Sequence, residues 1–329
     1  MRFFIFLILS VFFLAALIYH SSNEIKYVSV ASWNLENLFD TEDDPLTEDE
    51  EFTPDGSKNW TEDKLENKLD NLHKVIKFIN NGKGPDVIAV QEVENLKVLQ
   101  SLIKKCNYFR KYEAVHFESP DKRGIDVALL YDKDVFKPVK KFAHRVDLEF
   151  ETRPVLEAVL KHKSGDTISF FVNHWPSRKG GKDESERHRM KASETLKSAI
   201  EKNFNNYQSG NIIIMGDFND EPVDNSISNL IENNSFDLLN LAENVFLSDS
   251  GSYLYKGNWD MLDQIIISEK MTRCRIKYSD NSFKIVKPEF LVTKSGKFKG
   301  SSIPTFGGKD YLGGYSDHFP VTANFLICN

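Results

Sequence analysis

A single domain of mixed α/β type is the fold class that this chain predicts, and three observations predict it. The 329 residues are 40% hydrophobic and 28% charged, the balance of a globular protein long enough to bury a core. Apolar, strand-like runs are distributed from one end to the other, with helical patterns between them. No Gly/Ser- or Pro-rich linker divides the chain and no internal repeat is visible. One domain over residues 24–329 is therefore more economical than the two small ones that the length also allows.

The first element is an address. Phe3 to Tyr19 is an almost unbroken apolar run behind Met1 and Arg2. At ~1.5 Å per residue it spans about 25 Å, slightly short of a ~30 Å hydrocarbon core. The positive start and apolar middle suit a signal peptide over residues 1–23. Ala15 and Ala16 are followed by Leu17, Ile18 and Tyr19 without a clean A-x-A, which suits an uncleaved membrane anchor. Both readings stay open. Both send the domain out of the cytoplasm, as a secreted, periplasmic or membrane-anchored protein.

Ile25 to Trp33 alternates loosely and reads as a strand. The acidic stretch Asp40 to Glu51 reads as a solvated loop; calcium capture is the sharper idea, but the spacing fits no EF-hand. Thr61 can cap a helix whose apolar stripe is Leu65, Leu69, Leu72, Ile76 and Ile79, with Gly82 ending it. Asp86 to Val93 is a buried-type strand, and a short helix follows through Leu96, Leu99 and Ile103. Ile125–Tyr131, Val155–Leu160 and Thr167–His174 read as strands and Glu184–Phe204 as a helix. Asn211–Met215, Leu262–Ser268 and Val321–Ile327 are the last strands.

The chemistry sits at the strand ends. Asn34 and Glu36 follow the first strand in WNLEN, and Glu92 ends the second in AVQEVEN. Asn173 and His174 end a strand in FFVNHWPSR, and Asp217 and Asn219 follow one in IIIMGDFND. Asp263 opens a strand in MLDQIIIS, and Asp317 and His318 precede the last in YSDHFPV. Each piece alone has an ordinary reading as a cap or turn. Six at once, all on apolar strand ends, point to one shared rim. Hard oxygen donors without cysteine suit Mg²⁺, Mn²⁺ or Ca²⁺ rather than zinc. Cys106, Cys274 and Cys328 show no CxxC spacing and read as small core or edge residues. His318 with Asp263 or Asp317 makes an imidazole with an orienting carboxylate. The set suits hydrolysis of a phosphodiester or phosphomonoester by water. A Walker loop and a GxSxG elbow are both absent, which disfavours nucleotide-driven phosphoryl transfer and serine hydrolysis.

These segments resemble the endonuclease/exonuclease/phosphatase superfamily. WNLEN, QEVEN, RGIDVALLYD, VNHWPSR, GDFND, LDQIIIS and SDHFPV stand in that family's order from about Val28 to Phe325. DVIAVQEVEN and TRPVLEAVL look most like the secreted deoxyribonucleases and the extracellular nucleases of bacteria. The resemblance implies a four-layer α/β sandwich, two mixed, mostly antiparallel sheets face to face with helices outside. It implies that Glu92 is the principal Mg²⁺ ligand, helped by Asn34 and Asp317. Asp217 and Asn219 would align the attacking water and the phosphate. Asp263 would orient His318, which would stabilise the phosphorane, and His174 would serve near the leaving oxygen as general acid. Arg153 matches a phosphate-contacting arginine. Where that branch backs its second histidine with a glutamate, this chain reads RGIDV, and Asp126 is the shifted candidate.

The net charge of −7 excludes a stoichiometric nucleic-acid coat but allows a catalyst with a local basic strip. Ser177–Lys191 carries six Lys or Arg among fifteen residues, just after His174. It reads either as a phosphate-backbone strip, with Arg178 as the single preferred contact and Asn173 beside it, or as a solvated face with its own pairs such as Asp183 with Arg187. Three functions follow in order: an exported metal-dependent nuclease with DNA or RNA as substrate; a phosphodiesterase or phosphatase for a lipid or small polyphosphate; a binding module that lost its chemistry. A monomer without a protein partner is expected.

Overall fold

The structure is a computed structural model that describes residues 26–207, 210–232 and 236–328. The apolar run at the start of the chain, with its two readings, lies outside the described residues. Seventeen strands follow in order among the described residues: β1 Tyr27–Leu38, β2 Val87–Val93, β3 Tyr112–His116, β4 Asp126–Asp132, β5 Phe136–His144, β6 Val155–His162, β7 Thr167–His174, β8 Ile212–Asp217, β9 Leu238–Asn240, β10 Tyr253–Tyr255, β11 Asn258–Asp260, β12 Asp263–Ser268, β13 Ile276–Tyr278, β14 Lys284–Ile285, β15 Phe306–Gly307, β16 Asp310–Tyr311 and β17 Val321–Ile327. The helices are α1 Glu62–Phe78, α2 Leu96–Cys106, α3 Lys182–Tyr207, α4 Asn225–Ile231 and α5 Glu243–Phe246.

Two large mixed sheets form. One has the order β13-β17-β1-β2-β4-β3, with β14 also on β17; the other has the order β5-β6-β7-β8-β12-β9. Strand alternation builds the layers. Val28 and Val30 of β1 meet Ile213 and Met215 of β8 between the sheets. Ala31 and Trp33 face the opposite way, onto Leu69, Leu72 and Ile76 of α1 and Leu99 of α2. Ile212 and Ile214 of β8 face Leu196 and Ile200 of α3 and Ile227 of α4. The four-layer α/β sandwich is therefore the fold. Each Leu or Ile sealed in these layers contributes about 1.5–3 kcal/mol.

Several local expectations differ. Thr61 occupies the N-cap position of α1 with extended backbone, but its side chain makes no capping bond. β5 carries no strand signal in the sequence, because only Phe136 of FKPVKKFAH is buried. It is an edge strand, and its lysines and Pro138 are the devices that keep an edge from pairing further. No helix of the described residues is long and apolar enough to cross a membrane.

Topology brings the strand ends together. β1 and β2 are parallel, as are β7 and β8, so each pair delivers its C-terminal ends to one side. β17 runs antiparallel to β1, and β12 antiparallel to β8, so these deliver their N-terminal ends to the same side. Asp263 lies opposite Asp217, and Asp217 opposite His174, in direct register.

Candidate active site

The rim is shaped by irregular backbone. Pairing slips between Gln91 and Val93 on β4 and between Asn34 and Leu38 on β2, so Glu92 sits in a bulge with φ +60°. Glu36, Asn37 and Asn219 also take left-handed φ of 52°, 54° and 51°. Non-glycine residues pay about 1–3 kcal/mol for such positions, which persist where the surroundings enforce them. Gly216 supplies the freedom that β8 needs, with φ +145°: a Cβ there would meet the Asn173 carbonyl oxygen at 1.9 Å.

One chain of hydrogen bonds and close charged contacts crosses from sheet to sheet. Asn34 Nδ2 donates to Asp217 Oδ2 at 3.1 Å, and Asn219 N donates to Asp217 Oδ1 at 2.9 Å. His174 Nε2 lies 3.8 Å from the same Asp217 Oδ2 and 3.8 Å from Glu92 Oε1. His318 Nε2 lies 3.9 Å from Asp217 Oδ2, and its Nδ1 meets Asp263 Oδ2 at 2.7 Å. Ser252 Oγ donates to that Asp263 oxygen at 2.6 Å. Asn34, His174, Asp217, Asp263 and His318 are all buried. The shared rim expected from six strand ends is thus one contiguous cluster.

Electrostatics differentiates the two imidazoles. Burial works against the His318 charge, but Asp263, Asp317 and Asp217 outweigh it and hold the ring well above its ordinary pKa. Burial and the neighbouring Arg153, Arg123 and His318 push His174 well below the ordinary value. Burial raises the Asp217 carboxyl, against the pull of His318.

Glu92 and Asp317 fit a hard divalent cation. Asn37 N donates to Glu92 Oε2 at 3.0 Å, while Oε1 meets, among the described residues, only the His174 ring. Asp317 makes no hydrogen bond among the described residues; burial, together with the Glu36 and Glu92 charges, pushes its carboxyl up to about 7. A cation held by these oxygens would offset both the burial and the like charges. Asn34 leans toward Asp217, and its Oδ1 accepts from Glu36 N at 2.9 Å.

The other expected residues sit differently. Asp126 does not back His174. Along β4 it shares the helix-facing side with Ala128 and Leu130, whereas His174 belongs to the other sheet. Its carboxylate accepts from Ser119 N at 2.7 Å and meets His116 Nε2 at 2.7 Å, and His174 Nδ1 is buried without a hydrogen-bond partner among the described residues. His116, Glu118 and Asp126 form the group of ligand-type atoms within 4.8 Å of one another. A carboxylate faces each nitrogen of His116, at 2.7 and 3.7 Å. Arg153 is buried against Asp121 Oδ2 at 2.6 Å and donates to the His174 and Trp175 carbonyls at 3.1 Å each, so it holds the histidine's backbone. Asn173 accepts from Trp175 Nε1 at 3.0 Å inside the core. Arg178 donates to the Asn219 carbonyl at 2.8 Å and pairs with Asp260 and Asp224.

The basic strip is largely neutralised. Lys182 pairs with Asp224, Arg187 with Glu149 rather than Asp183, Arg189 with Asp220, and Lys191 with Glu194. Of its six cations, only Lys179 lacks a carboxylate within ion-pair distance among the described residues.

Two site residues escaped the sequence reading. Lys68 is fully buried; its Nζ donates to the Glu36 carbonyl, Thr305 Oγ1 and the Tyr315 carbonyl at 3.2, 2.5 and 2.7 Å. The signal was its place on the apolar stripe, between Leu65 and Leu69. Ser252 carried no signal, because it acts only through Asp263.

A model of the Endonuclease/Exonuclease/phosphatase family matches residues 29–326, and the chain belongs to that family. No curated protein matches it. Among solved structures, it is similar to an endonuclease/exonuclease/phosphatase family protein from Bacteroides thetaiotaomicron, with 15% identity and TM-score 0.60 over 93% of this chain and 100% of that one. It is also similar to a mannosyl-6-phosphatase of Bacteroides thetaiotaomicron (16%, TM-score 0.59, 91% and 99%). D. rerio TDP2 complexed with a single-strand DNA product gives 15% and TM-score 0.59 over 91% and 99%. These likenesses establish the fold. Family membership makes the chain a hydrolase of phosphoester bonds.

Proposed function

We propose that this chain is an exported, Mg²⁺-dependent endonuclease that cleaves DNA or RNA by water attack on a phosphodiester. The observation that carries the reading is the pair of oppositely tuned imidazoles, both within 4 Å of one Asp217 oxygen and beside the Glu92–Asp317 donors. Glu92 and Asp317, with Asn34 alongside, would hold the cation, which when bound polarises the phosphoryl group and offsets its charge. His318 keeps its proton at neutral pH and donates it from Nε2 to a non-bridging oxygen, with Asp263 fixing the ring through Nδ1. Asp217 and Asn219 orient the attacking water. A general acid must hold a proton, and the environment of His174 opposes one, so His174 acts here as a neutral acceptor or as a relay toward the leaving oxygen. Export rests on the apolar run before residue 24, and a monomer suffices because the cluster is complete within one chain.

The test is digestion of plasmid DNA and of RNA by the purified protein with Mg²⁺ and with chelator, beside sphingomyelin, inositol phosphates and a sugar phosphate. Cleavage of nucleic acid only with metal, reduced ~10²–10⁴-fold in His318→Ala, is expected. Inert nucleic acid with phosphate or choline phosphate released from a small substrate would move the protein to the phosphatase or lipid-hydrolase side of its family.

A further inference from the structure

The hairpin β10–β11 carries aromatic rings away from the catalytic histidine. Tyr253 stacks on the His318 imidazole with centroids 4.6 Å apart and planes 27° apart. Tyr255 follows on the same face, nearly parallel to Tyr253 at 13° and 6.3 Å from it. Three rings thus run in a row from the buried reaction centre to Tyr255, which is 51% exposed. Lys256 caps the row, its Nζ 5.0 Å from the Tyr255 ring centre, with no carboxylate partner among the described residues.

The hairpin is held still. Phe319 N donates to the Ser252 carbonyl at 2.8 Å, and Asp260 pairs with Arg178. On the reverse face, Trp259 packs on Phe319 with Lys287 Nζ 3.9 Å over the indole. Its tip turns through Lys256 and Gly257, both with positive φ, 49° and 90°. Such a two-residue turn favours Asn or Asp before Gly. A lysine there accepts backbone strain to put a cation at the outer end of the ring row.

We propose that Tyr253, Tyr255 and Lys256 form a subsite for an unpaired nucleotide flanking the scissile phosphate, so that the enzyme selects single-stranded over duplex nucleic acid. This rests on the nuclease reading above and deepens it. Tyr253 is enclosed between the His318 and Tyr255 rings and holds the row in place, while half-exposed Tyr255 offers its ring to an unpaired base and Lys256 its cation to the phosphate alongside, whatever the sequence. The row continues past one ring's reach from the reaction centre, so it serves a chain substrate rather than a lone sugar. In a duplex the base faces are occupied by their own stack and cannot use it.

The experiment measures kcat/KM of the full chain with Mg²⁺ on a labelled single-stranded oligonucleotide, on its duplex, and on a strand with base-free sugar spacers around the cleavage site. Wild type, Tyr255→Ala, Tyr255→Phe and Lys256→Met are compared. The proposal expects preference for the single strand and a loss of about 5–150-fold for Tyr255→Ala on it. It expects recovery in Tyr255→Phe, and a shallower salt dependence for Lys256→Met. The Tyr255→Ala loss must shrink on the base-free strand, because the stacking partner is already gone. Equal losses on both strands would overturn the subsite while leaving the nuclease standing. Wild type that ignores all three nucleic acids but hydrolyses a sugar phosphate overturns both.

Discussion

Each imidazole of the site takes its role from what surrounds it. His318 is as buried as His174, and desolvation alone would strip both of charge. Both rings lie within 4 Å of Asp217 Oδ2; the difference is that His318 also meets Asp263 at 2.7 Å and faces Asp317, while the Arg153 and Arg123 charges stand against His174. The sign for catalysis follows. If His318 donates, the rate falls as pH rises through its elevated pKa, and the charge of Asp263 sets where that fall begins. Asp263→Asn keeps the shape but removes the charge, so the alkaline fall of kcat/KM moves toward the ordinary histidine range and the maximum rate drops. A pH–rate profile of the two proteins checks this; an unmoved alkaline limb with lower amplitude would show that Asp263 only orients the ring.

At the scale of elements, the site depends on parallel pairs whose ends are aligned by register, and on places where register breaks. Gly216 is where β7 and β8 come too close for a side chain, with a Cβ position 1.9 Å from the Asn173 carbonyl oxygen. Gly216→Ala must spread the two strands that carry His174 and Asp217. A loss of roughly 1–3 kcal/mol in urea unfolding is expected, with a fall in kcat that exceeds what the stability change explains. Wild-type activity in a stable Ala variant would mean that the strand ends tolerate displacement. The same elements show what was legible in the sequence. Apolar runs with both faces buried, such as IIIM in β8, and the carboxylates ending them could be read directly. Edge strand β5 could not, because only its first residue, Phe136, faces a core. Asp126 misled because strand parity, not sequence neighbourhood, decides which sheet face a carboxylate serves. The two readings of Ser177–Lys191 could not be separated in the sequence, because the partners Glu149, Asp220, Asp224 and Asp260 come from elsewhere in the chain.

At the scale of the whole molecule, the site is the seam of the sandwich. One sheet and its flanking loop bring Asn34, Glu92, Asp317 and His318, the other His174, Asp217 and Asp263, and the Asn34–Asp217 hydrogen bond ties the two. Burial first, and then the Glu36 and Glu92 charges beside it, drive the Asp317 carboxyl at that seam up to about 7. A cation at Glu92 and Asp317 should therefore stabilise the fold as well as serve the reaction. At a Mg²⁺ concentration 100 times its dissociation constant, the linkage contributes ~2.7 kcal/mol, or roughly 5 °C or more in Tm for a domain near this size. Glu92→Gln separates this account from generic salt effects. The variant loses one negative charge from a crowded rim, so its Tm in chelator should equal or exceed that of the wild type. Its response to Mg²⁺ should be nearly flat, because a principal donor is gone. Thermal unfolding of both proteins across a Mg²⁺ titration, with K⁺ holding ionic strength constant, reads the two effects together. A variant that is destabilised in chelator yet gains as much from Mg²⁺ as the wild type would place the cation elsewhere and leave Glu92 a structural carboxylate of the bulge.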